Sequence, residues 1–193
     1  INPAYYWEIP ASQRPALQTI FTLTLTGGNE SPALADLTLP MSSFQMRLQS
    51  DGNPNYLSAV VPNAVDYESD ITDRQNGELV IRMGYKLQDG TIVLEEIGRA
   101  GFDMLRVDTG ANSSSVTLSG YEEAPEYPSP KRWTLSDVSY RALYENGKRR
   151  LRAKIDMFLR PGDTVVYESD EYRVGELVYY INPTSGHMEV VEE

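Results

Sequence analysis

Residues Lys148 to Glu193 read KRRLRAKIDMFL, RPGD, TVVYE, SDE, YRVGELVYYI, NPTSG, HMEVVEE. Leu151, Ala153, Ile155, Met157 and Leu159 fall on one face of an extended chain, with Arg152, Lys154 and Asp156 on the other. That period of two predicts a half-buried strand rather than a helix. Each run stops at turn-forming residues. In Pro161-Gly162-Asp163, proline presets φ, glycine permits a positive φ and aspartate can bond its own backbone. Ser169-Asp170-Glu171 and the run from Asn182 to Gly186 punctuate in the same way. The expectation is about four antiparallel strands joined in sequence, a meander. A further strand, Thr134 to Tyr144, should precede it through the hairpin signal Asn146-Gly147.

Upstream the pattern continues. Ala16 to Thr26 alternates as a strand, and Phe44–Leu48 and Tyr56–Val61 flank the turn cluster Ser50 to Asn55. Gly77 to Leu87, Thr91 to Ala100, Phe102 to Val107 and Ser115 to Tyr121 each read as strands. Ala64 to Gln75 is the one helical candidate, with Asn63 as its cap and acidic residues near its positive end. The tally is about ten or eleven strands with turns every ten or so residues, which predicts an all-β sandwich or barrel. The expected division is an arm at 1–15, a barrel-like first half at 16–121, a proline-rich connection at 122–131 and the meander at 132–193. One half can complete the other's barrel, which removes open edges.

The chain has 193 residues, enough for one large domain or two small ones. A domain of that size buries roughly 70% of the surface its unfolded chain exposes, so it needs no covalent staples. The sequence contains no cysteine, which excludes disulfides and thiolate metal sites. No run approaches the ~20 apolar residues that span a bilayer, so no membrane insertion is expected. INPAYYWEIP lacks the basic and apolar regions of a signal peptide. The formal net charge is −11, the wrong sign for holding nucleic acid by counterion release.

No constellation of catalytic residues stands out, and no cofactor or metal is expected. His187 is the single histidine, and no G-x-S-x-G accompanies it. The run from Asp66 to Asp73 opens like a calcium loop, but Ile71 replaces the glycine turn and Gly77 the closing acid. Glu95-Glu96 and Glu122-Glu123 are adjacent on strands, so each couple points to opposite faces and cannot act as a glycosidase pair. Two features point to association. Tyr5, Tyr6 and Trp7 form an aromatic cluster on a proline-punctuated arm, suited to docking either on its own domain or on a neighbouring subunit. Arg150, Arg152 and Lys154 are expected on one strand face and would complement acidic segments such as Glu122–Glu126 or Glu189–Glu193 on another copy or partner.

Several strings resemble hub-type tail proteins of long-tailed bacteriophages. They are Phe158-Leu-Arg-Pro-Gly-Asp-Thr-Val165, Tyr172-Arg-Val-Gly-Glu176 and Asn182-Pro-Thr-Ser-Gly-His-Met-Glu-Val190 near the end of the chain. Earlier come Leu39-Pro-Met-Ser-Ser-Phe44, Tyr56-Leu-Ser-Ala-Val-Val-Pro62, Gly77-Glu-Leu-Val-Ile-Arg-Met-Gly-Tyr85 and Ser113-Ser-Ser-Val-Thr-Leu-Ser-Gly120. The resemblance implies tail-tube-like split β-barrel domains, a self-assembled ring (threefold favoured over sixfold), and contact with tube and tape-measure proteins. It also implies a non-enzymatic virion protein of the tail tip or baseplate, made in the host cytoplasm, that meets DNA only in transit. The alternative is a carbohydrate-binding β-sandwich for host-surface recognition, with Tyr179-Tyr180 or Tyr5-Tyr6-Trp7 as its aromatic face.

Overall fold

The fold is seen in a computed structural model that describes residues 18–27, 34–50, 52–86, 90–109, 114–122, 127, 129–135, 137–143, 146–156, 158–182 and 185–193. The chain is all-β. In order the strands are β1 Gln18–Leu25, β2 Leu37–Leu39, β3 Ser43–Gln49, β4 Asn55–Pro62, β5 Glu78–Lys86, β6 Ile92–Thr109 and β7 Ser114–Glu122. They continue with β8 Arg132–Thr134, β9 Tyr140–Leu143, β10 Arg149–Ala153, β11 Thr164–Tyr167, β12 Asp170–Asn182 and β13 Ser185–Glu192. The hydrogen-bonded path runs β2-β1-β5-β6-β7-β4-β3-β12-β13-β10-β9, with β11 on β12 and β8 on β11. The path is open rather than closed into a barrel.

Strand β6 turns this path into two layers. Its first part, Ile92 to Gly101, pairs with β5, and its second, Gly101 to Thr109, pairs with β7 on the other edge. Extra residues interrupt both ladders, Ile97 against β5 and Asp103 against β7. Such bulges bend a strand and let it pass from one sheet to another. The sheets do meet face to face. A Cβ built on Gly98 of β6 would fall 2.0 Å from the Met46 sulfur on β3, although β7 and β4 lie between those strands in the ladder. In a flat sheet three strand spacings would hold them about 14 Å apart. A small sheet, β2-β1-β5 and the first part of β6, thus covers a large one, the second part of β6 followed by β7-β4-β3-β12-β13-β10-β9. One apolar cluster fills the space, from Leu23, Leu79 and Ile81 on the small sheet to Met46, Leu118, Leu177, Tyr179 and Val190 on the large one.

The two halves of the sequence share the large sheet, because β3 pairs with β12 from Gln49↔Glu176 to Phe44↔Ile181. β12 changes partner at a bulge between Val174 and Glu176. Before it, Asp170 to Arg173 pairs with β11; after it, the same strand pairs with β3.

Several expectations need correction. The C-terminal strands form a meander only in part: β9–β10 and β11–β12–β13 pair in sequence, but β10 lies on β13 instead of β11, and β11 runs parallel to β8. Alternation predicts extended backbone but not its partner, which the Asp163 contacts described below determine. β10 ends at Ala153, not Leu159, and Asp156 then accepts the Phe158 N–H at 2.9 Å in a turn. Lys154 is therefore off the strand that carries Arg150 and Arg152. Thr134–Tyr144 is not one strand but the last residue of β8 followed by the whole of β9. Thr91–Ala100 and Phe102–Val107 are one strand, β6, since Gly101 stays extended between them. The helical segment shrinks to a 3-10 turn, Ala64–Asp66, and a single helical turn, Glu68–Thr72. Asn63 does not cap that turn with its side chain; it adopts φ 55° and its carbonyl accepts the Asp66 N–H. The Asn146-Gly147 hairpin is found as expected, with Gly147 at φ 80° and β9 against β10.

Candidate interaction surfaces

Three places on the large sheet gather the polar chemistry of the described residues: a locked turn at one end, an ion-paired outer face, and a groove beside it.

The turn is RPGD. Gly162 takes φ 88°, which glycine tolerates without a Cβ penalty. Asp163 is 4% exposed and spends its carboxylate on three N–H donors. One oxygen accepts the Lys131 backbone N–H at 2.7 Å; the other accepts the Trp133 indole N–H at 2.8 Å and the Arg160 N–H at 2.9 Å. The Asp163 carbonyl then takes the Val174 N–H. One side chain thus fixes β8, the crossover from β10 and the start of β11. Tyr179 backs this crossover from the core, with its hydroxyl 3.3 Å from the Asp156 carbonyl oxygen and 3.4 Å from that of Leu159. Burial raises its pKa far above that of an ordinary phenol. Tyr179 is fully buried and offers no face to a sugar.

On β10, Arg150 and Arg152 both pair with Glu189 of β13, which lies directly opposite Arg152 in the ladder. Glu189 is 4% exposed, and the two guanidiniums are what make a buried carboxylate tolerable. The acidic C-terminal segment expected to complement these arginines therefore meets them within the same chain. Arg152 also lies over the Tyr140 ring of β9, 5.7 Å from its centroid. Nearer the strand end, Arg149 pairs with Glu192 and Asp170 and sits 4.5 Å over the Tyr172 ring. That guanidinium holds the Glu192 carboxyl below the usual carboxylate range. The Tyr172 hydroxyl is buried without a hydrogen bond, and burial pushes it up to about 12. Lys154 is exposed beyond the strand. Tyr5, Tyr6 and Trp7 lie outside the described residues.

The outer face of the large sheet ends in a groove of about 430 Å³ where β3, β4, β12 and β13 meet. Ser58, Gln45, Tyr180 and His187 form one row across it, each opposite the next in the ladders. Tyr180 and His187 stack with ring centroids 5.0 Å apart and planes at 24°. Burial and Arg152 lower the His187 pKa, partly opposed by Glu189. No acid lies within hydrogen-bonding contact of this imidazole among the described residues. Elsewhere, Glu95 and Glu96 are both exposed, with Glu96 bound to Arg99, and Glu122 accepts the Asn55 amide at 2.7 Å. No group of three metal-ligating side chains occurs among the described residues, and no helix there is long and apolar enough to cross a membrane.

The large sheet also has two open ends. Among the described residues no strand pairs with β9 on the side away from β10, or with Phe102 to Thr109 of β6 on the side away from β7. Both edges show apolar side chains on the core-facing side: Leu143 of β9 is 70% exposed and Val107 of β6 is 41% exposed. The sequence gives no direct sign of either edge, of Glu189 as a shared partner, or of the reach of Asp163 to Trp133. A signal existed for Tyr179, which alternates in phase with Leu177 and Ile181.

No family profile matches the chain, and neither does any curated protein sequence. Solved structures do match. The tail protein from Neisseria meningitidis MC58 superposes with a TM-score of 0.57 at 7% identity, over 89% of this chain and 96% of that one. The prophage MuSo2 43 kDa tail protein from Shewanella oneidensis superposes with a TM-score of 0.51 at 6% identity, over 90% of this chain and 97% of that one. This chain has the fold of these two tail proteins over nearly the whole length of each.

Proposed function

We propose that this chain is a non-enzymatic structural component of a phage tail, assembled through copies of itself into a ring or hub at the tail tip or baseplate. The ring joins the tail tube to the tip and lets DNA pass, with tube and tape-measure proteins as neighbours and three copies in preference to six. The shared fold of the two tail proteins supports the tail assignment. The observation that carries the ring is the pair of open edges on the large sheet. That sheet has eight strands with antiparallel neighbours throughout, from the second part of β6 to β9. An even number makes its end strands antiparallel to each other. A second copy set side by side can therefore lay its β6 edge on the first copy's β9 and continue the same kind of ladder. Leu143 and Val107 then meet on the core side of the junction. Such head-to-tail contacts close into rings when the rotation permits. The acidic net charge of −11 suits a passage that DNA must cross without adhering.

The test is oligomeric mass against concentration, with cysteines introduced at Leu143 and Val107 of this cysteine-free chain. Oxidation should link copies into closed trimers, and Leu143→Glu should return the chain to monomer without unfolding it. A wild-type chain that stays monomeric at millimolar concentration, with no crosslink between these positions, overturns the ring. Immunogold labelling of virions tests location: label at the tip supports the assignment, and label along the tail makes the protein part of the tube.

A further inference from the structure

We propose that the groove around Tyr180 and His187 binds a neutral saccharide, a hexose or N-acetylhexosamine chain. This goes beyond the tail reading and does not rest on it. The groove is unusual for this surface in two ways. First, its lining side chains carry no carboxylate, lysine or arginine, in a chain with 28 acidic and 17 basic residues. The lowered pKa of His187 keeps the imidazole neutral at neutral pH. Second, Asn182 and Ser185 bind each other at one end of it, but its other polar side chains are unspent. Ser43, Gln45, Ser58, Tyr180 and His187 make no side-chain hydrogen bond to any described residue. The rows toward the C-terminal end of β3 are engaged: Arg47 and Gln49 bind Glu176, and Arg152 binds Glu189.

These features narrow the ligand. An ion would find no counter-charge. An apolar ligand would strip water from hydroxyl and amide groups and leave them unpaired. Nucleic acid would find no cation to replace its counterions. An extended peptide usually adds to a sheet edge, through backbone groups that are already paired on this face. A neutral saccharide fits each element. Its apolar ring face can lie on the aromatic pair, while its hydroxyls meet the fork of Gln45 and the hydroxyls of Ser43 and Ser58. Pockets with an aromatic platform and a few placed polar groups bind such ligands.

Saturation-transfer NMR on the full chain with maltohexaose and with chitohexaose tests this. The expected result is transfer from one of them at millimolar concentration. Binding should weaken at least tenfold in Tyr180→Ala and in Gln45→Ala and stay unchanged in Tyr140→Ala, which lies on the same face outside the groove. Gln45 is exposed, so its variant reads binding even if Tyr180→Ala fails to fold. Transfer from neither saccharide, or transfer that survives Gln45→Ala and Tyr180→Ala alike, overturns the proposal.

Discussion

Asp163 and Glu189 are both carboxylates with 4% of their surface exposed, yet the chain accommodates them by opposite means. Asp163 faces only neutral donors, two backbone N–H groups and an indole, in a turn where the chain crosses between strands. Glu189 faces two guanidiniums on a regular ladder. The difference lies in what removal leaves behind. Without Asp163, three N–H groups in a part-buried corner lose their acceptor at once. Without Glu189, two long arginines remain, and their heads can swing out to solvent because Arg152 is already half-exposed.

The largest effect is therefore expected at the turn. Asp163→Ala should lower unfolding stability by about 4 kcal/mol, since each buried donor left without a partner costs about 1–3 kcal/mol. Asp163→Asn should recover little, because its amide would turn a donor toward donors. Urea denaturation of both variants checks this. A loss below about 1 kcal/mol in Asp163→Ala would show that the corner is wet. Glu189→Gln should cost less, about 2 kcal/mol, under the ~3–5 kcal/mol typical when a fully buried pair loses one member. A double-mutant cycle with Arg152→Met sharpens the point. Its coupling term should be well above that of an exposed pair, about 0–1 kcal/mol.

The same two residues show how far local reading reaches. The turn at Arg160 to Asp163 is legible: proline, a glycine at positive φ and an aspartate that bonds three residues back are all local facts. Its contacts with Lys131 and Trp133, some thirty residues earlier, are not, and they determine that β11 lies beside β8. Without them the strand order defaulted to a meander. Alternation likewise found β10 but extended it through Leu159, because Ile155 and Leu159 keep the sequence period beyond the end of the ladder at Ala153. The arginines of β10 were legible as a charged face. Their partner was legible only as an acidic segment somewhere, because a register of Arg152 on Glu189 depends on β13 docking between β10 and β12. The dipeptide Tyr179-Tyr180 makes the limit plain. The strand period separates the two rings onto opposite faces, but only the packed structure shows that one is core and the other lines a groove.

Glu192 extends the comparison to a carboxylate at the rim, with about a quarter of its side chain exposed. Both its oxygens take hydrogens from Arg149, including the backbone N–H at 3.0 Å. That contact lowers its pKa in the folded state, so folding favours the ionised form. The stabilisation is full above the unfolded value near 4.5 and is lost as pH falls through the folded value. Glu192→Gln should thus cost on the order of 1 kcal/mol at pH 7, with the difference shrinking toward zero as both proteins are acidified through the folded-state value. Glu171 supplies the control. Arg132 of β8 holds it at 2.9 Å and also lowers its pKa, but both side chains stand in solvent. Water and salt screen such a pair and side-chain entropy opposes it. Glu171→Gln should leave the thermal midpoint unchanged at pH 7 in 0.15 M salt. If it instead matched Glu192→Gln, the backbone N–H of Arg149 would not be what distinguishes the two, and burial would lose its place as the ordering variable from Asp163 outward.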